Sequence, residues 1–200
     1  MPGGQTDPTY RYTPAQQRRL VQNLASIYSD IDSRQYHSHP YTPHLIKAWH
    51  GRLFDGVRDH AGRIRSRDFG PEVLVFGPNR SVHRDFVLAQ LVAHCSDATS
   101  LIAELDARSA KFDIHSISEA VKVSSYVHAD LIRIHPFIDG NGRVARVVLD
   151  WILQGVGFPN CIAFHIPGAE YKDVLNHYYA TTDIDPLIDL VLRALSFPLT

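Results

Sequence analysis

Between residues 135 and 146 the chain reads His-Pro-Phe-Ile-Asp-Gly-Asn-Gly-Arg-Val-Ala-Arg. An imidazole, a carboxylate, two glycines and two guanidiniums in one short run are the parts of a site for phosphate chemistry. His135 closes an apolar helical stretch, because Pro136 behind it disfavours the α conformation there. Gly140 and Gly142 let successive backbone N–H groups turn toward one point, forming an anion nest. A helix starting at Asn141 or Gly142 adds unsatisfied N–H groups and the positive end of its dipole. Arg143 and Arg146 share a helix face, set away from the apolar stripe of Val144, Val147, Val148 and Trp151. Two forked guanidiniums beside a nest of amides describe a polyphosphate site. Asp139 would serve poorly as a phosphate contact and makes sense as a ligand for Mg2+, which binds through one or two carboxylates plus substrate phosphate oxygens. An imidazole with an ordinary pKa of about 6.5 can accept a proton near neutrality. Together these parts specify attack of a hydroxyl on a nucleotide phosphate. Taken singly, a Gly-Asn-Gly is a turn and paired arginines are a solvated face; their contiguity is what points to chemistry.

The elements that must position this run are mostly helical. Leu20, Leu24 and Ile27 space a first helix from Pro14 to about Ile31. Thr42 reads as an N-cap with Pro43 at the first helical position, followed by Leu45, Ile46, Trp49 and Leu53 on one side. Two β-rich runs come next, one opening at Gly62 through Ser66 and one over Val73–Phe76; they read as a hairpin. Leu88 to Leu105 and Ile117 to His135 keep a helical rhythm, a third helix follows the nest, and two more close the chain around Tyr171–Tyr179 and Leu187–Leu195. The expected fold class is all-α with one surface hairpin. With 200 residues, 44% hydrophobic, the chain can bury a core without staples. A net charge of −1 and a pI near 6.9 argue against a general nucleic-acid binder. Cys95 and Cys161 give neither a disulfide framework nor a metal site. The start has no apolar signal-peptide core, and no run approaches the ~20 apolar residues of a membrane span. The expectation is a soluble intracellular domain, with a loose arm over residues 1–13.

His135 to Arg146 resembles, position for position, the motif of Fic (filamentation induced by cAMP) domains: His, Pro, Phe, any residue, Asp or Glu, Gly-Asn-Gly-Arg, two free positions, Arg. Ala61-Gly62-Arg63-Ile64-Arg65 is similar to the Ala-Gly-x-x-Arg element that precedes the family's flap, and Tyr171 through Leu187 resembles the family's closing segment. The resemblance divides the chain into an N-terminal arm and helix, 1–41, and a Fic domain, 42–196. It implies a protein adenylyltransferase (AMPylase), a nucleotidyltransferase that moves AMP from ATP to a Ser, Thr or Tyr hydroxyl and releases pyrophosphate. His135 would be the catalytic base and Asp139 the Mg2+ ligand. The backbone of Gly140, Asn141 and Gly142 would cradle phosphate oxygens, and Arg143 and Arg146 would hold the β- and γ-phosphates. Phe137 would anchor the loop in the core. A flap over Arg63, Ile64, Arg65, Val73, Leu74 and Val75 would bind the target as an added strand. Implied partners are ATP, Mg2+ and a target protein, with a separate inhibitor protein as a further candidate and neither nucleic acid nor membrane among them. The implied location is the cytoplasm, or another cell into which an effector is delivered. Transfer of a different phosphate-linked group by the same histidine stays open, as does a binding module whose catalysis has lapsed.

Many relatives carry an inhibitory Ser/Thr-x-x-x-Glu-Gly/Asn helix. Of the four glutamates only Glu104 follows a serine at that distance, Ser100, and Leu105 comes next. Glu104 is therefore expected to be an ordinary surface residue, leaving the chain without built-in inhibition. Among the twelve histidines there is no HExxH. His37 and His39 fall in a polar loop, and His128 reads as a core histidine or one that supports the site. Tyr171, Tyr178 and Tyr179 read as helix packing before an adenine platform.

Overall fold

Local signals set most element boundaries. The computed structural model describes residues 12–35, 39–108, 114–158, 163, 166 and 168–195. Helix α1 (Pro14–Asp32) opens with a capping box: Thr13 accepts the Gln16 N–H, and the Gln16 side chain accepts the Thr13 N–H. Thr42 caps α2 (Pro43–Leu53) through the Leu45 N–H at 3.3 Å, with proline in the first turn as expected. Then come α3 (Val87–Arg108), α4 (Ile114–Ile134), α5 (Asn141–Gly155), α6 (Gly168–Thr181) and α7 (Asp185–Leu195). Helix α4 is the axis of the fold and packs against α3, α5, α6 and α7, while α1 and α2 cover α5. Leu20, Ile27, Tyr28 and Ile31 of α1 lie in the same apolar cluster as Trp49, Phe54, Phe137 and Leu149. Each such side chain contributes roughly 1.5–3 kcal/mol on leaving water. The all-α class with one hairpin is what the chain adopts.

The hairpin's first strand falls within the expected run Val73–Phe76, but its partner is not the expected one. Strands β1 (Val75–Phe76) and β2 (Asn79–Arg80) pair antiparallel across Gly77-Pro78, with Val75 opposite Arg80 and Phe76 opposite Asn79. Gly77 takes φ +57°, which the tight turn requires. Leu74 and Ser81 extend the ladder through Ser81 N to Leu74 O at 2.9 Å and Leu74 N to Ser81 Oγ at 2.9 Å. The run Gly62–Ser66 is not its partner. The Arg65 N–H goes instead to Pro136 O at 2.9 Å, and Ser66 forms one isolated bridge with Phe69. The backbone that looked like a first strand is spent on the loop at the end of α4.

A second expectation also changes. Arg84–Leu105, which ends within α3, is long and apolar enough by length and composition to cross a membrane, with a mean hydropathy of 1.4 over its most apolar 18-residue window. Its inner side (Val87, Leu91, Cys95, Ala98, Leu105) is buried in the protein, and Leu88 and Val92 are exposed. The expected arm falls, up to residue 11, outside the described residues, as do His37 and Cys161.

Candidate active site

Helix α4 ends at Ile134, and the next residue, His135, takes φ +54°. A left-handed residue after the last turn is a common helix stop, but it is normally glycine; histidine there costs on the order of 1 kcal/mol or more. Arg65 holds the turn in place. Its guanidinium is 1% exposed and donates to five carbonyl oxygens: His135 (2.8 Å), Val82 (2.9 Å), Ile134 and Pro71 (3.3 Å each) and Glu72 (3.4 Å). Burial lowers its pKa to about 10, which leaves it charged at neutral pH. One side chain thus ties the end of α4 to the segments on both sides of the hairpin.

The imidazole of His135 donates from Nδ1 to Ile132 O at 3.0 Å. That bond fixes the tautomer and leaves Nε2 as an acceptor. Phe76 of the hairpin stacks on the ring, with centroids 4.3 Å apart and planes 13° apart. Burial chiefly, with Arg65 assisting, lowers the His135 pKa to about 4 against the opposing bond to Ile132 and the charge of Asp139. The group is neutral and ready to accept a proton at pH 7.

Beyond Pro136 the chain closes on itself. Phe137 is fully buried. The Asn141 side chain accepts the Phe137 N–H at 2.9 Å and donates to Phe137 O at 2.8 Å, so this asparagine clasps the loop and only its backbone faces the nest. Gly140 stands before α5 at φ +76°, and a Cβ there would lie 2.2 Å from the Phe54 ring. Only glycine fits. Among the described residues no side chain caps α5, so the first-turn N–H groups of Asn141 and Gly142 are available to an anion. The Gly140 N–H is already given to Asp139 Oδ1 at 2.6 Å. Arg143 and Arg146 project from the following turn, both partly exposed.

Asp139 receives two neighbours that the motif does not announce. Tyr12, just ahead of α1, donates its hydroxyl to Asp139 Oδ2. Arg143 Nη1 reaches the same hydroxyl at 3.3 Å, and the Tyr12 ring lies under the guanidiniums of Arg58 (4.7 Å) and Arg143 (5.3 Å). Burial first, then the Asp139 contact, raises the Tyr12 pKa, so it remains a donor. His50, fully buried on α2, accepts the Gly62 N–H on Nδ1 at 2.8 Å and therefore donates from Nε2 to Asp139 O at 3.1 Å. Its ring stacks on Phe137 at 3.8 Å. Among the described residues, no three His, Cys, Asp or Glu side chains converge on a cation site. The donor set is one hard carboxylate, and it fits a Mg2+ whose remaining ligands are phosphate oxygens and water.

The six expected flap residues do not form one edge. Arg63 and Ile64 line a cavity of about 600 Å³ with His44, Lys47 and Phe69, Arg63 lying 4.0 Å over the Phe69 ring. Arg65 points inward and is a clamp, which corrects its assignment to target contact. Val73 and Leu74 lead into the hairpin, and Val75 belongs to it. Asn79 Nδ2 donates to Asn176 Oδ1 on α6 at 2.6 Å, tethering the hairpin. Two cavities flank the tether, of about 350 and 580 Å³, and both are lined by Phe76 and Tyr179. Glu104 is exposed on α3, and His128 is fully buried between α5 and α6. Sequence reasoning missed Tyr12, His50 and the inward course of Arg65. The one available signal was His50, which falls on the buried side of α2 beside Trp49 and one turn before Phe54.

Comparison with known proteins bears on the same residues. A sequence model described as the Fic/DOC family matches residues 40–153, a span that contains the whole motif. A "Protein adenylyltransferase Fic" of Nematostella vectensis is 38% identical over 77 residues, 38% of this chain and 18% of that protein. One from Drosophila persimilis is 45% identical over 49 residues, 24% of this chain and 10% of that protein. The aligned stretches are thus under a fifth of these relatives' own length. Among solved structures, the Fic domain of Bep8 from Bartonella sp. 1-1C has a TM-score of 0.68 at 14% identity, covering 95% of this chain and 88% of that one. BepC of Bartonella tribocorum, solved with bound AMPPNP, has a TM-score of 0.65 at 15% identity, covering 97% and 94%.

Proposed function

Because this chain belongs to the Fic/DOC family, we propose that it is a protein adenylyltransferase, transferring AMP from ATP to a Ser, Thr or Tyr hydroxyl of a target protein. The observation that carries the reading is the state of His135: Nδ1–H is held by Ile132 O at 3.0 Å, which leaves Nε2 without a hydrogen-bond partner among the described residues, six residues ahead of the start of α5. In this reading Nε2 takes the proton of the acceptor hydroxyl, a new bond forms between that oxygen and the α-phosphorus, and the bond to pyrophosphate breaks. The first-turn N–H groups of α5 cradle phosphate oxygens, while Arg143 and Arg146 hold the outer phosphates. Asp139 would hold Mg2+, which supplies neutralisation of phosphate charge when bound. Most of the acceleration comes from alignment and preorganised charge, as at other phosphate-transfer sites. The names of the adenylyltransferase relatives support AMP as the transferred group.

The test is mass spectrometry of lysate proteins incubated with the purified chain, ATP and Mg2+, comparing the parent with His135→Ala. A mass increase of one AMP on hydroxyl residues, seen only with the parent, is expected. ATP labelled at the α- or the γ-phosphate separates AMP transfer from phosphate transfer. Label arriving only from the γ position replaces the proposal with a kinase-like reaction, and identical products from both proteins remove the catalytic role of His135.

A further inference from the structure

Arg146 leaves α5 on a long, flexible stem, yet its guanidinium lies 4.5 Å from the centroid of the Tyr171 ring, on its face. Tyr171, on α6, is 6% exposed, and its hydroxyl is 2.6 Å from Nε2 of His128 on α4. His128 Nδ1 is in turn 2.8 Å from Ala145 O. The protons on this path have one consistent assignment. A carbonyl can only accept, so Nδ1 carries the hydrogen, Nε2 is the acceptor, and the phenol donates to it. His128 is fully buried, which keeps it neutral and compatible with that role. Ala145 immediately precedes Arg146. The contacts therefore form a closed circuit that leaves the α5 backbone at Ala145, crosses α4 and α6, and returns to the side chain of the next residue. A phenylalanine against an aliphatic residue would fill the same space without burying a phenol and an imidazole. What the polar pair adds is a fixed height and tilt of the ring beneath the guanidinium.

We propose that Tyr171 and His128 are positioning residues for Arg146, and that by holding its guanidinium ready they make the site select nucleoside triphosphates over nucleotides with fewer phosphates. The inference rests on the proposed function, since it takes Arg146 to be a ligand of the outer phosphates. Positional freedom removed before binding is not lost at binding, so the effect falls on whichever phosphate Arg146 meets. It does not extend to the base or the ribose.

The test is titration calorimetry with Mg2+ and a non-hydrolysable ATP analogue, or with AMP, on the parent, Tyr171→Leu, Arg146→Ala and the double variant. Tyr171→Leu is expected to weaken the triphosphate analogue about tenfold and to change AMP binding less than about twofold. In the Arg146→Ala background the same substitution should cost nothing further, because the two residues act as one unit. Equal loss for both nucleotides, or an undiminished loss in the Arg146→Ala background, would make Tyr171 a packing residue and overturn the proposal. Should Tyr171→Leu fail to fold, Tyr171→Phe keeps the ring and removes the bond to His128. It is expected to lose about two- to threefold for the triphosphate alone, and a loss shared by AMP counts against the proposal. A parent that does not bind the triphosphate analogue would remove the proposed function and this inference together, whereas binding without coupling removes only this inference.

Discussion

Packed where α4 ends, under the Phe76 ring, the His135 imidazole titrates below its usual range. For His135 the folded-state pKa is about 4, lowered mainly by burial. In the proposed reaction the base must be neutral to work, so its protonation limb in kcat/KM is expected to move down to that region. Between pH 7.5 and 5.5 the parent should lose little activity to this group, where an ordinary imidazole would lose about tenfold. A pH–rate profile checks it. The neighbouring Gly140 gives a second prediction: Gly140→Ala meets both a φ of +76° and the Phe54 ring at 2.2 Å. It should lower stability by at least about 2–3 kcal/mol, read from urea unfolding. His135, Asp139, Gly140, Arg143 and Arg146 were legible because they are contiguous, and local geometry is written in local sequence. Tyr12, His50 and Tyr171 were not, since each reaches the motif across the fold and nothing periodic marks a contact of that kind.

Among the elements, the helices and the first strand of the hairpin were legible, and the strand that pairs with it was not. Helices of 22 and 21 residues, as α3 and α4 are, repeat their apolar spacing over several turns, whereas two-residue strands leave no period to read. Alternation over Arg63–Ser66 is the same whether its N–H groups meet a strand or a loop. The pairing was decided by Arg65, whose inward course the sequence does not mark. Arg65→Met keeps the volume and strands five carbonyl oxygens. It should cost about 3–5 kcal/mol and loosen the hairpin from the motif, raising protease cleavage between Val73 and Ser81. At the start of α1, the Tyr12 hydroxyl and a cation would compete for Asp139 Oδ2. Tyr12→Phe should therefore lower the Mg2+ concentration giving half-maximal activity, and a rise would show that Tyr12 helps to hold the cation.

Across the whole molecule, two buried histidines outside the motif connect stability to pH. His50 and His128 are each lowered to about 4 chiefly by burial, while the unfolded chain titrates near 6.5. Between those values the unfolded state binds more protons, so stability falls as the solution is acidified from about 6.5 to 4 and is fully present above that window. The loss should reach roughly 3 kcal/mol per histidine by the lower end; a urea midpoint that stays level from pH 7 to 5 would contradict it. The clamp at Arg65 behaves differently. Surface pairs such as Arg19–Asp55 sit in reach of dissolved ions and weaken as ionic strength rises. Among the described residues Arg65 bonds to peptide carbonyls alone, in a place that counter-ions do not enter. Concentrated salt should strip a nucleotide from the proposed site at the arginines of α5 long before it loosens the hairpin's grip on His135, so a saline environment would silence the proposed activity without disassembling its machinery.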